Sequence, residues 1–368
     1  MEKIQSTAYV LGNRYQIQQT LGTGGMSVVY LAKDLMLERP IALKLLRPDL
    51  SRSEDFCNQF KLEAKAAAIL SHPNIVTVHD FGIDHSRLFI VMEYVNGSDL
   101  KTRLKKNGML DIQKGLYFMI QACAGLGYAH RAGLVHCDVK PQNMMITGED
   151  RLKITDFGLS RALSSINPSE KLEVVWGSPQ YLSPEQASGL APSPASDVYS
   201  LGVTLYELLT GQPPFVSNDS DELVRMHRET VPVSPKIINR EIPEELNQII
   251  MKVLSKEPAG RYRTADQFGR VLTSFYKSYS AYRNHSVSNG NEKFAQKNNI
   301  PPQKEEPVSS TKPVKLRLST PGQKEVIQEA KKYDWSTISL ALVTLLVTGG
   351  LIPFWLYIWF SFKNPTYP

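Results

Sequence analysis

The chain has 368 residues, 42% of them hydrophobic and 21% charged, and a formal net charge of +6. This length leaves room for about two domains and a large core. Its three scattered cysteines, Cys57, Cys123 and Cys137, exclude a disulfide framework and a cysteine-based metal site, and they fit a reducing cytosolic setting. The first residues, Met-Glu-Lys-Ile-Gln-Ser, lack the apolar run of a signal peptide.

The first part of the chain, which ends near Tyr94, is predicted to be rich in strands. Alternation of apolar and polar residues around glycines predicts strands within residues 12–49, among them residues 41–46, and two more strands at residues 75–81 and 88–95. Ser51 and Glu54 have the spacing of a capping box, which predicts a helix that runs to about Leu70.

From Asp99 onwards the pattern is mostly helical. Residues 111–131 carry apolar side chains at helical spacing, and Gly133 ends this helix. Two polar loops follow, separated by short strands at residues 144–146 and 152–154. Further helices are predicted at residues 197–210, 243–255 and 265–276.

The last part of the chain changes character. Residues 281–334 are dominated by Asn, Gln, Lys, Pro and Ser and predict a disordered linker. This linker is basic: ten Lys or Arg against six Asp or Glu between Arg283 and Asp334 give a surplus of four positive charges. We therefore expect the linker to meet anionic lipid headgroups, with no nucleic-acid partner.

Residues 338–360 carry no charge and are numerous enough for one membrane helix, placed within residues 336–360. A buried core helix is the alternative. Lys331 and Lys332 precede this segment and only Lys363 follows it, so the large N-terminal part is expected in the cytoplasm of a single-pass membrane protein. Residues 361–368 are then a short tail outside, from which we expect no binding of extracellular ligands. A membrane partner or a second copy of the chain is the expected associate of the helix.

A glycine-rich run, Gly22-Thr-Gly24-Gly25-Met-Ser-Val-Val, joins two predicted strands. Such a loop can fold closely over a polyphosphate and present backbone N–H groups to it. No helix and no Gly-Lys-Ser/Thr follows, so the run is neither a dinucleotide fingerprint nor a Walker loop. An ordinary glycine-rich hairpin is the alternative.

Lys44 lies in an otherwise apolar strand, where a lysine that faces the interior is costly unless it is paired. Glu63, on the predicted helix, is a candidate partner. The alternative is an exposed lysine on an edge strand.

Two polar loops carry the remaining chemistry. Residues 136–143, His-Cys-Asp-Val-Lys-Pro-Gln-Asn, place Asp138, Lys140 and Asn143 on one loop, and Asp156-Phe-Gly forms the second. One carboxylate can accept or orient a hydroxyl proton, the ammonium can offset phosphate charge, and Asn143 and Asp156 supply hard oxygen ligands for a metal ion. The whole set predicts phosphoryl transfer.

With these motifs in this order, the chain resembles the protein kinase family, and specifically the bacterial serine/threonine kinases of eukaryotic (Hanks) type. The resemblance covers roughly residues 13–276. It implies an α+β, two-lobed fold with a strand-rich N-lobe at about 13–95 and a helical C-lobe at about 96–280, followed here by the disordered linker and the transmembrane helix.

The resemblance also implies roles for individual residues. Asp138 resembles the catalytic base, Lys140 the γ-phosphate contact, and Lys44 the contact to the α- and β-phosphates that pairs with Glu63. Asn143 and Asp156 resemble the ligands of Mg²⁺, with Mn²⁺ as an alternative. The residues expected to bind ATP are Leu21, Gly22, Gly24, Gly25, Val29, Ala42, Lys44, Met92 (the gatekeeper position), Glu93 and Val95 (the adenine-binding hinge).

Four residues are expected to support this site. His136 belongs to the catalytic loop, Asp197 resembles the residue that holds the backbone of that loop, and Glu185 in Ser-Pro-Glu would pair with Arg261. The activation segment contains the candidate phosphosites Ser160, Ser164, Ser165, Ser169 and Ser178, with Tyr181 and Ser183 at its end.

Three positions depart from the family pattern. Ser27 replaces the third glycine of the loop, and Ser178 stands where threonine is usual. Cys137 stands where the family often has an arginine that pairs with a phosphorylated activation-loop residue. We therefore expect activity to depend little on activation-loop phosphorylation. Cys137 itself is interpreted as a packing residue, with a redox sensor as the alternative.

The predicted function is transfer of the ATP γ-phosphoryl group to Ser or Thr of protein substrates, in membrane-proximal signalling and with autophosphorylation. The alternative is a membrane-held pseudokinase or nucleotide-binding scaffold. That alternative requires the loss of a key residue, and Lys44, Asp138, Asn143 and Asp156 are all present.

Overall fold

A computed structural model describes residues 9–52, 54–157 and 179–296, with side chains as far as Arg283. These residues form two lobes, the first rich in strands and the second mostly helical. The boundary near Tyr94 agrees with the sequence, since the last strand of the first lobe ends at Glu93.

The first lobe is built on a six-stranded antiparallel sheet with the strand order β1-β2-β3-β4-β6-β5. Its strands are β1 Val10–Leu11, β2 Tyr15–Thr23, β3 Ser27–Asp34, β4 Arg39–Leu46, β5 Val78–Asp84 and β6 Arg87–Glu93. Helix α1, Glu54–Ala68, crosses one face and buries Phe56 and Phe60. Because β4 lies between β3 and β6, Lys44 is not on an edge strand, which rules out the edge-strand alternative.

Strand register determines which residues face α1. Residues directly opposite each other in an antiparallel pair lie on the same face, as do residues two apart in one strand. Val29 is opposite Lys44, Lys44 is opposite Ile90, and Ala42 is opposite Met92. These residues therefore share the face that packs against α1, whereas Leu43, Leu45 and Val91 fill the core on the other face.

The second lobe is built around helix α5, in which every residue from Ala195 to Thr210 is buried. The described helices are α2 Leu100–Asn107, α3 Ile112–Arg131, α4 Pro184–Ala187, α5 Pro194–Thr210, α6 Ser220–Glu229, α7 Pro235–Ile238, α8 Glu244–Val253 and α9 Ala265–Gln296. Gly211, with φ +82°, ends α5 in the left-handed conformation that glycine adopts without strain. A small sheet of β7 Gly97–Asp99, β8 Met144–Thr147 and β9 Leu152–Ile154 faces the first lobe.

Two local predictions differ from the structure. Ser51 does not cap α1: it lies in a short 3₁₀ helix, and its hydroxyl accepts a hydrogen bond from the backbone N–H of Leu88. Helix α9 continues to Gln296, past the predicted domain end at residue 280. Tyr282, near the end of the described side chains, is 74% exposed, and hydrophobic periodicity gave no sign of the extension.

The predicted membrane segment, residues 338–360, lies outside the described residues, as does the predicted linker beyond Gln296. Among the helices that the structure describes, none combines the length and the apolar character that a membrane span requires.

Candidate active site

The loop between α3 and β8 brings three predicted site residues into contact. Lys140 Nζ lies 2.7 Å from Asp138 Oδ2. Asn143 Nδ2 donates to the same carboxylate oxygen at 3.1 Å and to the Asp138 carbonyl at 2.9 Å. The side chains of Asp138 and Lys140 are each 17% exposed, so both are sheltered and still accessible to a ligand.

Asp197, on the buried helix α5, fixes the start of this loop. Its carboxylate accepts hydrogen bonds from the backbone N–H groups of His136, at 2.8 Å, and Cys137, at 2.9 Å. The His130 ring lies 2.9 Å from the same carboxylate. Cys137 has a φ of +68°, which is strained for a residue other than glycine, and the Asp197 bond helps to hold it there.

The ring of His136 links the two polar loops. Its Nδ1 accepts from the backbone N–H of Asp138 at 3.2 Å, so the proton is on Nε2, which donates to the carbonyl of Thr155 at 2.9 Å. The ring also packs against Phe157, with a centroid separation of 4.7 Å. His136 is fully buried, and it therefore serves as a structural connector rather than as a group that meets a ligand.

Asp156 lies beside the catalytic loop because the backbone N–H of Thr155 donates to the Asn143 carbonyl at 3.0 Å. Its φ of +67° is again in the left-handed region. Burial acts to raise the pKa of Asp156, but the charge and the hydrogen bond of Lys44, with a smaller contribution from Lys140, outweigh it and hold that pKa below its usual value. The group is therefore a carboxylate at neutral pH.

The predicted pairing of Lys44 with Glu63 is not found among the ion pairs of the described residues. Lys44 Nζ instead lies 2.7 Å from Asp156 Oδ1. Glu63 is buried on α1, and its carboxylate accepts a hydrogen bond from Gln59 at 2.8 Å. In this conformation Lys44 and Asp156 neutralise each other across the two lobes.

The residues predicted to meet ATP lie around the mouth between the lobes. Gly22 lies near the end of β2, and Gly24 and Gly25 lie in the turn to β3, where the Gly24 N–H donates to the Ser27 carbonyl at 2.9 Å. A Cβ at Gly22 or Gly25 would meet nothing within 4 Å, so the surface above this turn is open. Leu21 is 43% exposed beside it. Val29, Ala42 and Met92 lie on the sheet face that packs against α1, Glu93 is the last residue of β6, and Val95 follows two residues later.

The supporting ion pair predicted for the second lobe is present. Arg261 donates to both oxygens of Glu185, at 2.8 and 2.9 Å, and neither side chain is more than 8% exposed. Burial acts to raise the pKa of Glu185, but hydrogen bonds from Arg261 and Ser196 hold it below its usual value. The candidate phosphosites Ser160, Ser164, Ser165, Ser169 and Ser178 lie outside the described residues.

Comparison with known proteins assigns the family. The family model described as protein kinase domain matches residues 15–270. The chain belongs to the protein kinase family. The predicted two-lobed kinase fold is thereby confirmed, and the solved kinase domain of Mycobacterium tuberculosis PknI agrees with it: 27% identity, a TM-score of 0.60, and coverage of 73% of this kinase and 98% of that chain.

Relatives of this kinase among the curated proteins are described as serine/threonine-protein kinases, the enzyme class that the sequence predicted. PrkC of Bacillus subtilis is 35% identical over 93% of this kinase and 52% of its own length. PknB of Mycobacterium leprae is 40% identical over 69% of this kinase and 42% of its own length. The kinase thus spans about half, or less, of the length of these relatives.

The donor set fits a hard divalent cation. Within the described residues, the Asn143 amide forms its side-chain hydrogen bonds through Nδ2, which leaves Oδ1 as an oxygen donor. Asp156 adds a carboxylate. Clusters of three or more His, Cys, Asp or Glu side chains are absent from the described part of the chain. A site with one amide, one carboxylate and phosphate oxygens suits Mg²⁺, which usually binds few protein ligands.

Several contacts near the site were not predicted. Gln186 Nε2 donates to the Cys137 carbonyl at 2.9 Å and so connects α4 to the catalytic loop. Lys101 and Tyr181 both donate to the buried carboxylate of Glu207, and Lys153 pairs with Glu93. No local motif marks these residues, because each pair joins segments that are far apart in the sequence.

Proposed function

We propose that this chain transfers the γ-phosphoryl group of ATP to Ser and Thr hydroxyls of protein substrates. The observation that carries the proposal is the joint placement of Asp138, Lys140 and Asn143 on one loop, bonded through Thr155 to the segment that holds Asp156. Phosphoryl transfer needs an aligned hydroxyl, compensated phosphate charge and a metal site, and this arrangement can supply all three.

In the proposed reaction, the acceptor hydroxyl oxygen forms a bond to the γ-phosphorus while the bond from that phosphorus to the β–γ bridging oxygen breaks. The electron pair of the broken bond stays with ADP, and the hydroxyl proton goes to the Asp138 carboxylate. Lys140, 2.7 Å from Asp138, offsets charge on the transferred group. Lys44 leaves Asp156 to contact the α- and β-phosphates and to pair with Glu63.

Asn143 and Asp156 would hold the metal ion, Mg²⁺ or alternatively Mn²⁺. When bound, that ion neutralises phosphate oxygens and holds the polyphosphate in place. The backbone of Gly22, Gly24 and Gly25 covers the phosphates, and the adenine lies against the sheet residues named above, with Met92 at its inner end.

We further propose that the kinase acts at the cytoplasmic face of the cell membrane. The support is in the sequence: residues 338–360 carry no charge, and basic residues precede them. Membrane lipids, and a partner or second copy in the membrane, are the proposed associates of this part. Fractionation of cells that produce the full chain and a variant lacking residues 336–360 tests this, since only the full chain should sediment with membranes.

The enzyme proposal is tested by incubating the purified chain with ATP labelled at the γ-phosphate, Mg²⁺ and a generic protein substrate. We expect label on phosphoserine and phosphothreonine, on the substrate and on the chain itself, and none on phosphotyrosine. A chain that binds ATP without transferring label would be a nucleotide-binding scaffold, and that result would overturn the proposal.

A further inference from the structure

Lys153 and Glu93 form an ion pair that joins the two lobes. Lys153 is in β9 of the second lobe, and Glu93 is the last residue of β6 in the first. The ammonium lies 2.9 Å from Glu93 Oε1 and 3.0 Å from Oε2. The lysine side chain is 13% exposed and the glutamate 30%, so the pair is more sheltered than the surface pair Lys236–Glu244, at 43% and 55%. Sheltered pairs are screened less by solvent than exposed ones.

Glu93 is also bonded to the segment that precedes β5. Its backbone N–H donates to the Thr77 carbonyl at 2.9 Å, and the Thr77 N–H approaches Glu93 Oε2 at 3.3 Å. The same segment is bonded to β9, since the N–H of Val76 donates to the Ile154 carbonyl at 2.8 Å. Hydrogen bonds thus connect residues 74–77 to both Glu93 and β9. The ion pair of Lys153 with Glu93 adds a direct link between β9 and the end of β6.

These connected residues reach both halves of the proposed nucleotide site. The backbone from Glu93 to Val95 is the proposed adenine contact. On the other side, β9 leads directly into Thr155 and Asp156. Thr155 bonds to the Asn143 carbonyl, and its hydroxyl lies 3.7 Å from the sulfur of Met92. The position of Glu93 relative to β9 therefore determines the spacing between the adenine contact and the metal carboxylate.

We propose that Lys153 is a positioning residue for the nucleotide, which acts through Glu93 by holding the adenine-binding backbone in register with Asp156. Lys153 itself touches neither ATP nor the reacting atoms. The inference rests on the proposed nucleotide site, and it assigns a role to a side chain that belongs to no motif in the sequence.

The expected effect is on ATP affinity. Without the ammonium, the end of β6 occupies several positions relative to β9, and only the fraction of molecules with the correct spacing binds ATP well. Apparent affinity falls in proportion to that fraction. We expect Lys153→Met to raise the KM for ATP, and the Kd measured by calorimetry, about three- to tenfold. The KM for the protein substrate is expected to stay within about twofold, because its contacts lie elsewhere.

The experiment compares full-length wild type with Lys153→Met, Lys153→Arg and the surface control Lys236→Met. Arginine retains a charge that can pair with Glu93, so it should keep the Kd for ATP within about twofold of wild type. The control should leave the Kd unchanged. A purely structural lysine would lower the melting temperature of Lys153→Met without changing the Kd, and an unchanged or lowered Kd in that variant would overturn the proposal.

A double-mutant cycle tests whether the effect runs through Glu93. If Lys153 acts only through this partner, Glu93→Gln and the double variant Glu93→Gln/Lys153→Met should raise the Kd by about the same factor as Lys153→Met. If the double variant instead raises the Kd by the product of the two single factors, the claim that Lys153 acts only through Glu93 is contradicted. Because the Kd is measured without turnover, a wild type that binds ATP but transfers no phosphoryl group would defeat the proposed function and leave this test valid.

Discussion

Asp197 shapes the loop that carries Asp138, although the two residues are far apart in the sequence. Its carboxylate accepts from two consecutive backbone N–H groups and also contacts the His130 ring. One of the two backbone groups belongs to Cys137, whose positive φ is unfavourable outside such a constraint. The carboxylate thus determines where the loop begins and in which direction it leaves α3.

Replacing Asp197 by Asn should lower kcat about tenfold or more and change the KM for ATP much less. An amide has a single acceptor oxygen, so at least one of the three contacts is lost and Asp138 moves from its position. Steady-state kinetics with varied ATP measure both parameters. Asp219→Asn is the matched control, since Asp219 caps α6 with one contact that Asn can also make. Equal kcat for wild type and Asp197→Asn would contradict the proposed role.

The sequence predicted which residues form the site better than it predicted their partners. Asp138, Lys140, Asn143 and Asp156 come together as expected, because two short loops carry them and each loop is bounded by apolar segments. The predicted partner of Lys44 was wrong, because the structure pairs it with Asp156 rather than with Glu63. Which of two distant carboxylates a lysine meets depends on tertiary packing, which a local pattern does not specify.

Helix α5 is the element on which the second lobe is assembled, and its glycine permits close packing with α8. A Cβ at Gly202 would collide with the side chain of Val253. We expect Gly202→Ala to lower the free energy of unfolding by about 1–3 kcal/mol, because α5 and α8 must move apart. Chemical denaturation measures the change. Gly148→Ala is the control, as its Cβ would meet nothing within 4 Å. An equal effect of the two substitutions would show that the collision is relieved without cost.

Helix α6 depends on a buried histidine that is held neutral. His227 is fully buried, and its Nδ1 lies 3.0 Å from the Tyr199 hydroxyl. Burial, with a contribution from the charge of Lys256, lowers the pKa of His227 to about 3. The folded state therefore stays unprotonated at pH values at which the unfolded chain takes up a proton. The stabilisation is complete above the unfolded pKa of about 6.5 and is lost as the pH falls towards 3.

Between pH 6.5 and pH 5, wild type should lose about 1.6 kcal/mol more unfolding free energy than His227→Leu. The leucine variant is less stable at pH 7, because it loses the contact to Tyr199, but this titration is absent from it. Urea denaturation at a series of pH values compares the two slopes. If the unfolding free energies of the two proteins change equally with pH, His227 is protonated in the folded state as it is in the unfolded chain.

Helices and strands with a strong hydrophobic periodicity were predicted well. Prediction was poor where tertiary packing or the end of an element determined its boundary. Helix α3 begins and ends as expected because Asp111 caps it and Gly133 follows it. The start of α1 differed because Ser51 bonds to Leu88, a residue in a distant strand. The length of α9 was underestimated because residues 284–296 are mostly polar in the sequence.

At the scale of the whole molecule, the absence of an arginine at Cys137 bears on regulation. We expect phosphatase-treated protein to keep at least about half of its kcat/KM, because the cation that would pair with an activation-segment phosphate is missing from the catalytic loop. The protein is first treated with a phosphatase, which is then removed. Its activity is measured from the initial rate, before the protein can phosphorylate itself again. A tenfold loss that returns after incubation with ATP would contradict this expectation.

The most direct test of the central claim compares wild type with Asp138→Asn in γ-phosphoryl transfer to protein. Asp150→Asn is the matched control, since Asp150 makes two ion pairs with Arg103 and Lys114 away from the proposed site. We predict that Asp138→Asn binds ATP but labels Ser and Thr about 100-fold less than wild type or lower still, because the hydroxyl proton loses its acceptor. Asp150→Asn should stay within about threefold of wild type. Equal labelling by wild type and Asp138→Asn would contradict the assignment of the active site.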